Sequence, residues 1–180
     1  MAKYKGTNID ALRQSLRKMA PAVEAGLLGR LSPADAQVYK TALPISWVPI
    51  DAAATILSLA APLVFPGAPN ALRSLGEQQA QHNLNFVYRS ILTVATPDFA
   101  ISQSARLWSI HFDTGKASGQ VVSKTEGILL VEEFPDLPAP FLDIVAGYIA
   151  GVIACTNTRI LRLSIDASSL NALRWRFTWE

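Results

Sequence analysis

Ser109 and His111 stand two residues apart in Trp108-Ser109-Ile110-His111-Phe112. On a β-strand that spacing sets a hydroxyl beside an imidazole, and the imidazole could take the hydroxyl proton to make a nucleophile. The surroundings argue against it. An activated serine usually sits on a sharp turn, and no G-x-S-x-G occurs in the chain. Zinc takes three or four protein ligands, so a metal site would need His82, His111 and Cys155 to converge from a helix, a strand and a helix end. Glu132 and Glu133 are neighbours on a strand, point to opposite faces and cannot share a proton. The reading is therefore of a protein that is not an enzyme, with chemistry at Ser109 and His111 as the enzyme alternative.

Binding needs less. Trp47, Phe86, Tyr88 and Trp108 are aromatic residues spaced so that they could line an apolar pocket, and they are the ligand-binding candidates. Arg162, Arg174 and Arg176 form a possible basic stripe on the outer face of a sheet, which reads as a charged surface that discourages edge association. A net charge of +2 is too small to point to nucleic acid.

The elements that would hold these residues divide the chain in two. Thr7 or Asn8 can cap a first helix carrying Ile9, Leu12, Leu16 and Met19, which Pro21 interrupts. Ser32-Pro33 starts another helix. After the extended link 44–49 comes a helix at 51–64, apolar nearly all round and so expected to be central. The longest helix spans 70–95, and Thr96-Pro97-Asp98 ends it and opens a short one. From Ala105 the period changes to two. Trp108, Ile110 and Phe112 alternate with Ser109, His111 and Asp113, predicting a strand with a half-exposed His111, then a hairpin at Asp113-Thr114-Gly115-Lys116. Strands follow at 119–124, 128–134, 160–166 and 172–179, with a helix at 141–155 crossing the sheet. The clearest strand is the last, where Leu173, Trp175, Phe177 and Trp179 share a face that must be buried. Gly147 and Gly151, four apart, let the crossing helix lie close to the sheet.

The class is α+β: a helical half at 8–103, then a twisted antiparallel sheet of five strands with one crossing helix at 105–180, all in a single domain, 1–180. Hydrophobic residues are 50% of the chain and charged ones 17%, which excludes disorder. Neither apolar helix suits a membrane span, since 52–65 is short and holds Pro62 while 138–155 holds Asp143. A polar start and one cysteine fit a cytoplasmic protein. A chain this apolar has more hydrophobic surface than a monomer of its size easily buries. A homodimer through helices of the N-terminal half, including Leu57, is therefore expected.

Trp47-Val48-Pro49, Leu72-Arg73-Ser74-Leu75-Gly76 and the closing Arg174-Trp175-Arg176-Phe177-Thr178-Trp179 carry a family resemblance. The chain resembles a paralogous family of myxobacteria, itself similar in fold to the haem nitric-oxide/oxygen-binding (H-NOX) domains, the 4-vinyl reductase domains and the TRAPP subunits. The resemblance implies a helical bundle capped by a twisted sheet around a pocket for a small ligand. H-NOX domains take haem on a histidine from a helix ahead of the sheet and clamp its propionates with a Y-x-S-x-R motif. His82 is on such a helix, whereas Tyr88-Arg89-Ser90 has another spacing. The expectation is a non-enzymatic module of bacterial signalling that binds a small apolar ligand or a partner protein, without cofactor. A haem-based gas sensor is the alternative.

Overall fold

The computed structural model describes residues 1–87, 96–134, 136–169 and 172–180, and at Met19 and 85–87 the backbone alone. A short strand β1 (Lys3–Lys5) leads into α1 (Thr7–Met19), α2 (Pro21–Leu28) and α3 (Pro33–Thr41). Then come β2 (Trp47–Pro49), α4 (Ile50–Val64) and α5 (Ala71–Val87). β1 and β2 pair antiparallel, Tyr4 opposite Val48, so the chain start is pinned beside the entry to α4. The second half holds α6 (Pro97–Ser102), α7 (Ser104–His111), β3 (Lys116–Ser123), β4 (Glu126–Glu132), α8 (Pro140–Ala154), β5 (Ile160–Ser169) and β6 (Ala172–Trp179). Its sheet runs β3-β4-β6-β5, each neighbour antiparallel. The α+β class and the order of halves are as expected.

Local chemistry explains most boundaries. Ser32 Oγ accepts from the Asp35 amide at 3.1 Å and Pro33 occupies the first turn, a good start for α3. Thr96 caps α6 in the same way. α1 departs from expectation: Gly6 is its cap, Thr7 donates to the Pro44 carbonyl at 2.8 Å, and Asn8 is buried. Arg13 ties α1 to the end of α3, donating to the carbonyls of Tyr39 at 2.7 Å and Ala42 at 2.9 Å beside its ion pair with Asp10. Carbonyls at a helix C-terminus lack intrahelical partners, which makes them a natural seat for a guanidinium.

The segment from Ala105 corrects the sequence reading. It is the helix α7, so among the described residues the main sheet has four strands and not five. Residues 108, 111 and 112 share a helical face at spacings of three and four, and Trp108, His111 and Phe112 are all buried while Ile110 is exposed. A strand would have buried Ile110 with its two aromatic neighbours. Burying three side chains, with Trp108 and Phe112 stacked at 4.1 Å between ring centres, outweighs the apparent alternation. The long helix runs to Val87, and 88–95 lies outside the described residues.

Strand β6 behaves as read: Trp175, Phe177 and Trp179 are buried while Arg174 and Arg176 face out. Trp175 Nε1 donates to the Leu142 carbonyl at 2.9 Å, fastening the sheet to α8. The glycines of α8 do allow a close approach, but to α5 and not to the sheet. A Cβ at Gly147 would lie 1.8 Å from the Arg73 carbonyl oxygen, and one at Gly76 would lie 2.0 Å from that of Ile144. Helix α4 is central as expected, with Ile56, Leu57, Ala60 and Ala61 fully buried. That corrects the premise for pairing through Leu57, which faces the core of its own chain.

Candidate functional site

Helices α6, α7 and α8, the inner face of β4 and β6, and Tyr4 of β1 surround a cavity of about 80 Å³. Most of its wall is apolar, including Ile101, Leu107, Trp108, Phe112, Leu129 and Phe177. The polar wall residues are Tyr4, Gln79, Ser104, His111 and Tyr148. Ser104 is satisfied, its hydroxyl donating to the Ile101 carbonyl at 2.6 Å.

The other four polar residues belong to two hydrogen-bonded groups that come together near Asn83. His111 Nε2 lies 3.0 Å from the Tyr148 hydroxyl. Asn83 lies near that hydroxyl, and its amide nitrogen donates to Asn8 Oδ1 at 2.9 Å. Asn8 Nδ2 donates to the Tyr4 hydroxyl, which donates to Gln79 Oε1 at 3.2 Å. Two ends are left over: among the described residues His111 Nδ1 and Gln79 Nε2 are buried without a partner. Buried polar groups are nearly always satisfied, so two such atoms on residues of one cavity wall call for an explanation.

Burial governs the electrostatics here. It lowers the pKa of His111 from its ordinary 6.5 to about 4, so the ring is neutral at pH 7. It pushes the Tyr148 hydroxyl up to about 12 despite the opposing effect of nearby Asn83, and raises Tyr4 further still. Every member of the two groups is thus neutral near pH 7, as a low-dielectric wall requires.

The candidate residues from the sequence scatter. Trp108 is on the cavity wall, donating through Nε1 to the Thr114 carbonyl at 2.9 Å. Trp47 is not; it is exposed on β2, with Lys5 Nζ 4.5 Å above its ring. The side chain of Phe86 and the whole of Tyr88 lie outside the described residues. Ser109 and His111 do not form a pair: two apart on a helix, they point to different sides, and Ser109 is exposed and bonded to the Arg106 carbonyl at 2.9 Å. His111 itself is a buried helical residue and not the half-exposed strand residue that the alternation predicts. His82 is exposed beside the groove between α1 and α5. His82, His111 and Cys155 do not converge, and no group of three metal-ligating side chains occurs among the described residues. Arg176 pairs with Glu126, which interrupts the basic stripe.

The sequence reading misses Tyr4, Asn8, Gln79, Asn83 and Tyr148. The available signal was the polar Gln78-Gln79 and Asn83 beside apolar positions of α5, and a tyrosine on the otherwise apolar α8.

No helix among the described residues is long and apolar enough to cross a membrane. No known family profile and no curated protein matches the sequence. Solved structures do match in shape. The Fe(II) unliganded H-NOX protein from K. algicida superimposes with a TM-score of 0.69 at 7% identity, covering 98% of this chain and 96% of the other. The H-NOX protein from S. oneidensis in the Fe(II)NO state gives 0.69 at 11% identity, covering 98% and 99%. A mutant of the T. tengcongensis H-NOX gives 0.59 at 12% identity, covering 98% and 97%.

A haem can be tested against the wall. His111 is the histidine placed to ligate, on a helix directly ahead of the sheet, but its Nε2 is already bonded to Tyr148. A cavity of about 80 Å³ is smaller than the ~150 Å³ that accepts benzene, and a porphyrin is several times larger. No lysine or arginine is among the described wall residues to receive propionates. In this conformation the wall does not fit haem, although along nearly its whole length the chain has the fold of the H-NOX proteins.

Proposed function

We propose that the protein is a small-molecule-sensing module of the H-NOX fold, in which the ligand occupies the cavity between α7, α8 and the sheet. The observation that carries this reading is an apolar cavity with two unpartnered buried polar atoms on its wall residues. Apolar walls with a few placed polar groups are the usual make-up of a ligand site. The module is non-enzymatic and belongs with the myxobacterial paralogues in bacterial signalling, in the cytoplasm, as one domain. Self-association is part of the proposal. With Leu57 inside, a second copy would cover Leu43, Ile45 and Trp47, exposed apolar side chains of the N-terminal half. Sedimentation at micromolar concentration checks this, and a monomer there removes it.

The second reading is a haem-based gas sensor. The likeness to H-NOX structures favours it over the haem-free reading, because the matched proteins are described in Fe(II) and Fe(II)NO states. The size and charge of the wall favour the smaller ligand. An absorption spectrum of protein made in haem-supplemented culture separates the two. A stoichiometric Soret band assigns the site to haem; its absence, with a small molecule retained in native mass spectrometry, supports the first reading.

A further inference from the structure

The hydrogen bonding of the wall has a direction, and that direction selects a ligand. Asn83 stands at the root of the longer branch. One amide proton of Asn83 goes to Asn8 Oδ1, which leaves Asn8 Nδ2 to donate to the Tyr4 hydroxyl. A hydroxyl that accepts there spends its own proton on Gln79 Oε1, so Gln79 presents Nε2, a donor, as its free end. On the other side of the wall the Tyr148 hydroxyl has His111 Nε2 as its partner at 3.0 Å. A buried phenol needs an acceptor for its one proton, and the imidazole nitrogen is the better acceptor of the two atoms, so Tyr148 donates to His111 Nε2. A neutral imidazole that accepts at Nε2 carries its proton on Nδ1, the second free end. Both branches finish in an N–H.

We infer that the cavity takes a small, neutral, largely apolar molecule whose acceptor oxygen, of the carbonyl type, receives hydrogen bonds from His111 Nδ1 and Gln79 Nε2. This rests on the proposed ligand-sensing reading and adds to it the chemistry of the head group. Neutrality follows from the wall. An anion there would be buried beside a neutral imidazole and no described cation, and an uncompensated buried carboxylate costs far more than two amide-like hydrogen bonds return. A hydrocarbon would fill the apolar part and leave both donors unsatisfied. Water is the competing occupant.

Titration of the intact protein with the isosteric probes acetone, isobutene and acetate, followed by nitrogen-15 NMR of the imidazoles and side-chain amides, tests this. The chain has two histidines, so His111 is readily assigned. Before any probe is added, His111 should show the Nδ1–H tautomer; the Nε2–H tautomer overturns the inference. Acetone should bind about tenfold or more tightly than isobutene, the scale of one to two neutral hydrogen bonds, and move the His111 and Gln79 signals. Gln79→Leu should weaken acetone several-fold and leave isobutene unchanged or improved, which also reports that the variant is folded. Equal or tighter binding of isobutene to the native protein sinks the donor inference while the cavity reading stands. Preference for acetate sinks the neutral head group. If no probe binds, the cavity holds only water and both readings fail.

Discussion

Helix α8 has two sides with opposite physical characters. Towards α5, Gly147 and Gly151 leave no room between the backbones. Towards α7 and the sheet, Val145, Tyr148, Ile149 and Val152 border a cavity, with a tyrosine whose hydroxyl serves a histidine. The glycine side gains contact by having no side chains to order; the cavity side gives up packing and keeps polar groups that the core could have replaced with methyls. A helix clamped rigidly on one side can hold an underfilled wall on the other without collapsing into it.

The largest effect that would break this contrast is Gly147→Ala. The added methyl meets the Arg73 carbonyl, a backbone atom that moves only if α5 and α8 part. A loss of about 3 kcal/mol or more in urea-denaturation stability is expected. Retained stability would mean that the clamp is soft.

The cavity side should show itself in acid. The folded pKa of His111 is depressed from 6.5 to about 4, so between those values the unfolded chain binds a proton that the folded one does not. Stability due to this group is intact above pH 6.5 and falls as the pH drops towards 4, by about 3 kcal/mol in total. Stability measured across that window in the native protein and in His111→Phe should differ in slope; identical slopes would place the imidazole in contact with water.

Tyr148→Phe leaves the helix packing intact and removes the hydroxyl that partners His111. The expected cost is about 1–3 kcal/mol, because a buried imidazole is then left with neither nitrogen bonded among the described residues. A neutral outcome by thermal unfolding would show that water replaces the hydroxyl. The smallest change, Ile149→Val, trims a wall that is already underfilled, and about 0.5 kcal/mol is expected by the same measurement. A cost as large as that of Gly147→Ala would erase the distinction between the two sides.

Strand β6 was readable because seven residues alternate without exception and one face must be buried. The segment around Trp108 shows the same alternation over a shorter run. There the spacing of four between Trp108 and Phe112 satisfies a strand and a helix alike, and only the burial of His111 with the exposure of Ile110 separates them. That one misassignment concealed the site. It placed His111 beside Ser109 on a surface, away from Tyr148, its partner in the fold.

Local pattern therefore determined the class, the helical and sheet halves, the burial of α4 and the inward face of β6, since each depends on neighbours within a few turns or strand residues. Tertiary structure alone decided the site. Tyr4 meets Gln79 and Asn8 meets Asn83 across 75 residues each, and His111 meets Tyr148 across 37. No periodicity records such pairings: a buried donor finds its acceptor through the packing of whole helices, and the close approach of α5 to α8 sets which side chains of those helices face the cavity.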